Sequence, residues 1–210
     1  MMRHHFKHRV AITAALAASV IGSTAHAGGR GGHVHQGAQI SQQQQPLRAR
    51  LQPAEKRVSD GALVKVISAA NQGEIAQAKI AIELARSREV KDFAREMIKA
   101  HTQAENDLGA HLRRLGIKAQ PTRASAMLAA HSSIIAAHLR AQPVERFDQE
   151  YMAIQVRMHI YAVRILDEQV IPRVKDQELK QELQRIRDTA ASHLKRAQAI
   201  QATLAEGQER

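Results

Sequence analysis

Residues 87–116 read SREVKDFAREMIKAHTQAENDLGAHLRRLG, and this stretch decides the fold. Ser87 is a capping residue, because a short side-chain oxygen accepts a bond from the free amides of a first helical turn. Val90, Ala94, Met97, Ala104, Leu108, Leu112 and Leu115 then recur at helical spacing. Gly116 ends the run, since glycine enters the left-handed conformation cheaply. The stretch predicts one long helix over about 88–115, with His101 set inside its apolar stripe.

Three further long helices flank it. Upstream, Ser59 or Asp60 caps a helix running to about residue 86, with Leu63, Ile67, Ala70, Ala78, Ala81 and Ala85 as its stripe. Downstream, Pro143 opens a helix over about 144–171 carrying Phe147, Tyr151, Ile154, Met158, Tyr161 and Ile165, and Pro172 closes it. A last helix over about 176–205 carries Leu179, Leu183, Ile186, Ala190, Ala197, Ile200 and Leu204. The first and last pairs have short connections and form antiparallel hairpins. The middle connection, 117–143, holds a shorter helix over about 123–140 that spans ~27 Å. A crossover of that reach implies an all-α, ferritin-like four-helix bundle with a short extra helix, over residues 59–206.

Composition removes other classes. There is no Cys and no Trp, and the aromatics are three Phe and two Tyr. Disulfides, thiolate catalysis and iron–sulfur clusters are excluded. A stacking platform for single-stranded nucleic acid lacks its rings, and the basic residues are spread over all helices, so no nucleic-acid partner is expected. No Gly-rich phosphate loop, nucleophile elbow or His-Glu-x-x-His is present.

The N-terminus reads as an address. Arg3, Lys7 and Arg9 precede the apolar run VAITAALAASVIG at 10–22, and Ala25-His26-Ala27 closes it. That order of basic, apolar and small regions is a signal peptide over 1–27. The run is too short for the ~20 residues a membrane span needs. Residues 28–58 form a flexible Gly- and Gln-rich leader. Export to the periplasm, or association with the outer membrane, is the expectation. Cleavage after Ala27 removes those three basic residues from 31 and leaves 28 Lys and Arg against 20 acids. Such a charge suits an anionic envelope surface or lipid as partner, or simply keeps a monomer soluble.

The apolar stripes are interrupted at one level. Glu74, His101, His159 and His193 come one from each long helix, each within ~4 Å of its helix midpoint. A buried carboxylate is costly unless it neutralises or finds a partner. One Glu and three imidazoles can hold a single divalent transition ion, such as zinc, iron, copper or manganese. Glu105, one turn after His101, is placed to accept that ring's second N–H, and Gln155 to serve His159. The alternative is a metal-free cluster in which Glu74 accepts protons from one or two histidines and fixes helix register. His111, His131 and His138 read as surface or interfacial. A dinuclear carboxylate centre is disfavoured. It wants Glu-x-x-His on two helices, and the residues three before His101, His159 and His193 are Ile98, Val156 and Ala190. Oxygen-activating chemistry therefore has little support, and a non-catalytic role is preferred to an enzymatic one.

At these residues the chain resembles a family of exported bacterial domains, domain of unknown function 4142, often labelled outer-membrane proteins and considered ferritin-like. The resemblance spans about 59–203. It rests on Gly73-Glu74, on Val90-Lys91-x-Phe93-Ala94-x-x-Met97-x-x-x-His101-Thr102, on Phe147-Asp148-x-x-Tyr151-x-x-x-Gln155-Val156-x-x-His159, and on His193-Leu194-x-x-Ala197. It implies that Glu74 and the three histidines act as a unit; it supplies no reaction. Two departures stand out. The family commonly has an acidic residue where this chain has Ala100, and a proline shortly before the last histidine, which is absent here.

Overall fold

The computed structural model describes residues 58–206; the expected signal peptide and nearly all of the leader lie outside them. The described residues form five α-helices and no strand. They are α1 (Asp60–Leu84), α2 (Arg88–Leu115), α3 (Arg123–Arg140), α4 (Val144–Ile165) and α5 (Gln177–Glu206). No helix among them is long and apolar enough to cross a membrane.

Local chemistry sets each boundary. Ser59 accepts from the Ala62 amide at 3.2 Å and Ser87 from Val90 at 3.4 Å. Thr122 and Ser125 cap α3 reciprocally, at 3.0 and 2.9 Å. Gly116 takes φ 65°, and the Ile117 amide returns to the Leu112 carbonyl at 3.0 Å. The first helix stops at Leu84, short of the expected 86. There the Asp148 carboxylate of α4 takes the Arg86 and Ser87 amides at 3.1 and 2.8 Å. The expected 144–171 helix also changes character. α4 ends at Ile165 and continues as a π-helical turn, Leu166–Val170, and a 3-10 turn, Ile171–Arg173. Pro172 has no N–H to offer the Glu168 carbonyl one turn back. The Arg173 guanidinium takes its place, at 3.3 Å from Glu168 O and 2.6 Å from Gln169 O.

The four long helices pack as two hairpins, α1 with α2 and α4 with α5, joined mainly along α2 and α5. The crossover helix α3 lies along α1. This gives α1 two buried faces where the sequence pattern had implied one. Val66, Ala69, Gly73 and Ile80 are buried as well as Leu63, Ile67, Ala78, Ala81 and Ala85 of the expected stripe, whose Ala70 is half-buried. Gly73 marks the α1–α3 crossing: a Cβ there would sit 2.2 Å from Ser132 Oγ and 2.8 Å from Ser132 Cβ. Only glycine permits that approach.

The core is divided. One apolar cluster gathers Phe93, Met97, Phe147, Tyr151, Met152 and Ile200 with the alanines of α1 and α2. A second gathers Leu63, Ile67, Leu108, Leu166, Leu179 and Leu183. Between them along the helices lie the buried polar residues Asn71, Glu74, Gln155, His159 and His193, with His101 partly buried.

Candidate metal centre

Each long helix delivers one expected residue to this layer. One ring nitrogen from each of His101, His159 and His193 lies within 4.8 Å of the others, and the three form the metal-capable group found among the described residues. Their ring centroids are 6.2, 5.6 and 5.4 Å apart. Glu74 is buried beside the group without joining it at that distance.

The hydrogen bonds fix the tautomers. His159 Nδ1 lies 2.9 Å from the Gln155 carbonyl oxygen, which can only accept, so Nδ1 carries the proton and Nε2 keeps a bare lone pair. His101 Nδ1 lies 2.9 Å from Asn71 Oδ1. The Asn71 amide nitrogen donates to Glu105 Oε1 at 2.9 Å, which orients the amide and makes His101 Nδ1 the donor. Ser68 donates to the other Glu105 oxygen at 2.8 Å. His101 Nε2 is then a buried acceptor without a partner among the described residues. His193 has Nε2 3.9 Å from Glu96 Oε1, and its Nδ1 is buried and equally without a partner among them. Glu96 itself is held by Arg196 of α5.

Bare nitrogens packed together in a buried waist resist protonation. Burial, then the neighbouring His159 and His193, lowers the His101 pKa to about 3. Burial, then His159, lowers His193 to about 4. Glu74 moves the other way. Burial raises its carboxyl pKa, against the opposing pull of His159 and of the Gln155 amide, which donates to Glu74 Oε2 at 2.9 Å. The same amide reaches Gln77 Oε1 at 3.3 Å. Tyr151 completes this side. Burial, then the Glu74 charge, pushes its phenol well above the usual range, and its hydroxyl has no partner among the described residues.

The donor set fits a transition cation. Neutral imidazoles with bare nitrogens are the form that metals bind, and a hydrogen bond on the other ring nitrogen is the usual orienting partner. A metal–nitrogen distance of ~2.0–2.1 Å in tetrahedral geometry puts the donors ~3.3 Å apart. The widest spacing here, 4.8 Å, would have to contract by about 1.5 Å.

Two sequence readings change in detail. Glu105 does not take the His101 proton directly; Asn71 stands between them. Gln155 serves His159 through its backbone carbonyl and turns its side chain to Glu74. Asn71 and Glu96 were missed. Asn71 sits one turn before Glu74 on a face that looked unexceptional, and Glu96 sits one turn before Ala100 on α2. His111 is also a correction: it is buried, not superficial. Its Nδ1 accepts from Arg114 and its Nε2 donates to Asp176 Oδ1, both at 2.9 Å. Asp176 in turn caps α5 through the Leu179 amide at 2.8 Å. His111 thus pins a helix start. His138 pairs with Glu150 at 3.0 Å, half-buried on the α3–α4 side, and His131 is half-buried on α3.

The profile of the family described as Domain of unknown function (DUF4142) matches residues 43–200. The chain belongs to this family. All four candidate residues fall inside the matched DUF4142 region, as do Asn71, Glu96 and Gln155. No curated protein and no solved structure matches the chain.

Proposed function

We propose that this DUF4142 protein is an exported, ferritin-like, monomeric bundle of the periplasm or outer-membrane face that holds one divalent transition-metal ion. His101, His159 and His193 supply the nitrogens, and Glu74 supplies a fourth donor or the compensating charge. The observation that carries the reading is the pair of buried ring nitrogens, His101 Nε2 and His193 Nδ1, that have no hydrogen-bond partner among the described residues. Leaving a buried acceptor unsatisfied costs ~1–3 kcal/mol, and a cation held by the three rings is what relieves both nitrogens together. The metal-free cluster is less well supported, because the side-chain bond to Glu74 comes from Gln155 rather than from an imidazole. Export rests on the signal-like order of residues 1–27.

The test is metal content of protein purified without an affinity tag, with melting curves after chelation and after adding back zinc, cobalt or manganese. Bound ion at about one per chain, or a raised melting temperature, supports the reading. No ion and no shift with any of them removes it.

The excess of 31 Lys and Arg over 20 acids favours a second reading, a non-catalytic module that binds an anionic envelope surface or lipid. It requires salt-sensitive co-sedimentation with anionic vesicles, and no binding at low salt would exclude it. A redox enzyme is the least supported reading. It would require metal-dependent peroxide or superoxide turnover that Glu74→Ala abolishes in a folded bundle.

A further inference from the structure

The three imidazoles are not held alike. His101 and His159 each have one ring nitrogen committed to a bond of 2.9 Å, to Asn71 and to the Gln155 backbone. His193 has neither: Nδ1 is unpartnered among the described residues, and Nε2 stands 3.9 Å from Glu96 Oε1, beyond hydrogen-bond reach. The nitrogens must contract from spacings of up to 4.8 Å to bind an ion, and the unanchored ring is the one free to do it.

The access side follows from the carboxylates. Glu74 is 5 % exposed and accepts from the Gln155 amide of α4. Glu96 lies at the α2–α5 seam with its side chain 36 % exposed, against 3 % for His193. Its partner Arg196 is 44 % exposed and comes from the same helix as His193, one turn on. A hydrated cation approaching this seam meets a carboxylate before it meets an imidazole.

Resting on the metal reading above, we propose that Glu96 and Arg196 form the gate of the centre. Glu96 attracts a hydrated divalent transition cation at the α2–α5 seam, and its release from Arg196 lets it accept the His193 Nε2–H. That bond fixes the ring with Nδ1 turned to the ion. Arg196 opposes both steps, by repelling the cation and by holding Glu96. Glu96 is here a positioning and capture residue, and the ligands remain the imidazoles.

The experiment follows Co(II) binding to the chelated full-length protein by stopped-flow, reading the visible bands of the ion, at low and high salt. Glu96→Gln should slow association about ten-fold at low salt, with the difference shrinking as salt screens the charge. Arg196→Ala should speed association, and Glu96→Asp should recover most of the rate. Circular dichroism of each variant controls for folding. Association by Glu96→Gln within two-fold of wild type, at both salts, would overturn the gate while leaving the centre intact. Failure of the wild type itself to bind Co(II) would overturn both.

Discussion

The ends of this bundle and its waist solve the same packing problem with opposite chemistry. At one end Phe93, Phe147 and Tyr151 interlock, with Phe93 edge-on to Tyr151 at 6.4 Å and Phe147 stacked on it at 6.2 Å. At the other, leucines and valines of α1, α2, α5 and the turns that follow α4 meet. Those regions gain chiefly from burial, at roughly 25 cal/mol per Å² of apolar surface. The waist gives up stability instead: it buries a carboxylate, two glutamine side chains and two imidazoles, with the His101 ring partly buried beside them, and leaves some of their polar atoms unpaired among the described residues. A core built for stability would have continued the apolar stripes through it. The contrast assigns the ends to folding and supports a ligand-binding role for the waist.

Substitutions should separate the two regions. Phe93→Ala, in the aromatic end, should cost about 3–5 kcal/mol in denaturant unfolding, equally with and without metal. Added Zn(II) or Co(II) at a thousand-fold excess over Kd should stabilise the wild type by up to about 4 kcal/mol. His101→Ala should lose that gain. Phe93→Ala should retain it, although the ring packs edge-on to His193 at 6.3 Å. A variant lacking His101 that still gained the full amount from metal would move the site elsewhere.

The ends were readable in the sequence because apolar periodicity is a local signal. Ser87, Gly116 and Pro143 mark real boundaries. The waist was readable only as interruptions at a common depth, which is enough to select Glu74 and three histidines from a chain with 12 His. What escaped depends on side-chain direction and on the crossover. The pattern of α1 gave no warning that α3 covers a second face, because Ala69 and Gly73 suit either environment. Asn71 looked like an ordinary helix residue until it was seen to link His101 to Glu105, 34 positions away from Asn71. His111 looked superficial because its partner Asp176 is 65 positions distant. The make-up of a polar layer is likewise a property of three-dimensional convergence, and spacing along one helix does not encode it.

Acid should also attack the waist before the ends. His101 and His193 have folded pKa values of about 3 and about 4, below the ~6.5 of an unfolded histidine. The unfolded chain therefore binds more protons in the window between them. Stability of the metal-free protein is full well above about pH 6.5 and falls as pH drops toward 4, by several kcal/mol. Metal should move the loss to lower pH, because the ion competes with protons for the same nitrogens. Denaturation midpoints from about pH 7 to about pH 4, with and without Co(II), read this directly. A slope that is unchanged in a His101→Phe, His193→Phe double variant would assign the acid loss to surface carboxylates instead.

The smallest effect discriminates best between the two accounts of the waist. If Glu74 exists to neutralise protonated histidines in a metal-free cluster, removing its charge should cost several kcal/mol, as for a broken buried ion pair. If it awaits a cation, its charge is a burden in the metal-free protein, as the burial-raised pKa of its carboxyl indicates. Glu74→Gln keeps an acceptor for the Gln155 amide and discards the charge. Metal-free stability should then stay level or rise by about 1 kcal/mol. Co(II) affinity should fall at least about ten-fold, the equivalent of about 1.4 kcal/mol. The variant should also lose stability more steeply in acid, because a carboxyl with a raised folded pKa binds protons preferentially in the folded state and partly offsets the histidines. Strong destabilisation of metal-free Glu74→Gln near neutral pH would decide for the charge-paired cluster, and the waist would then be a device for fixing helix register.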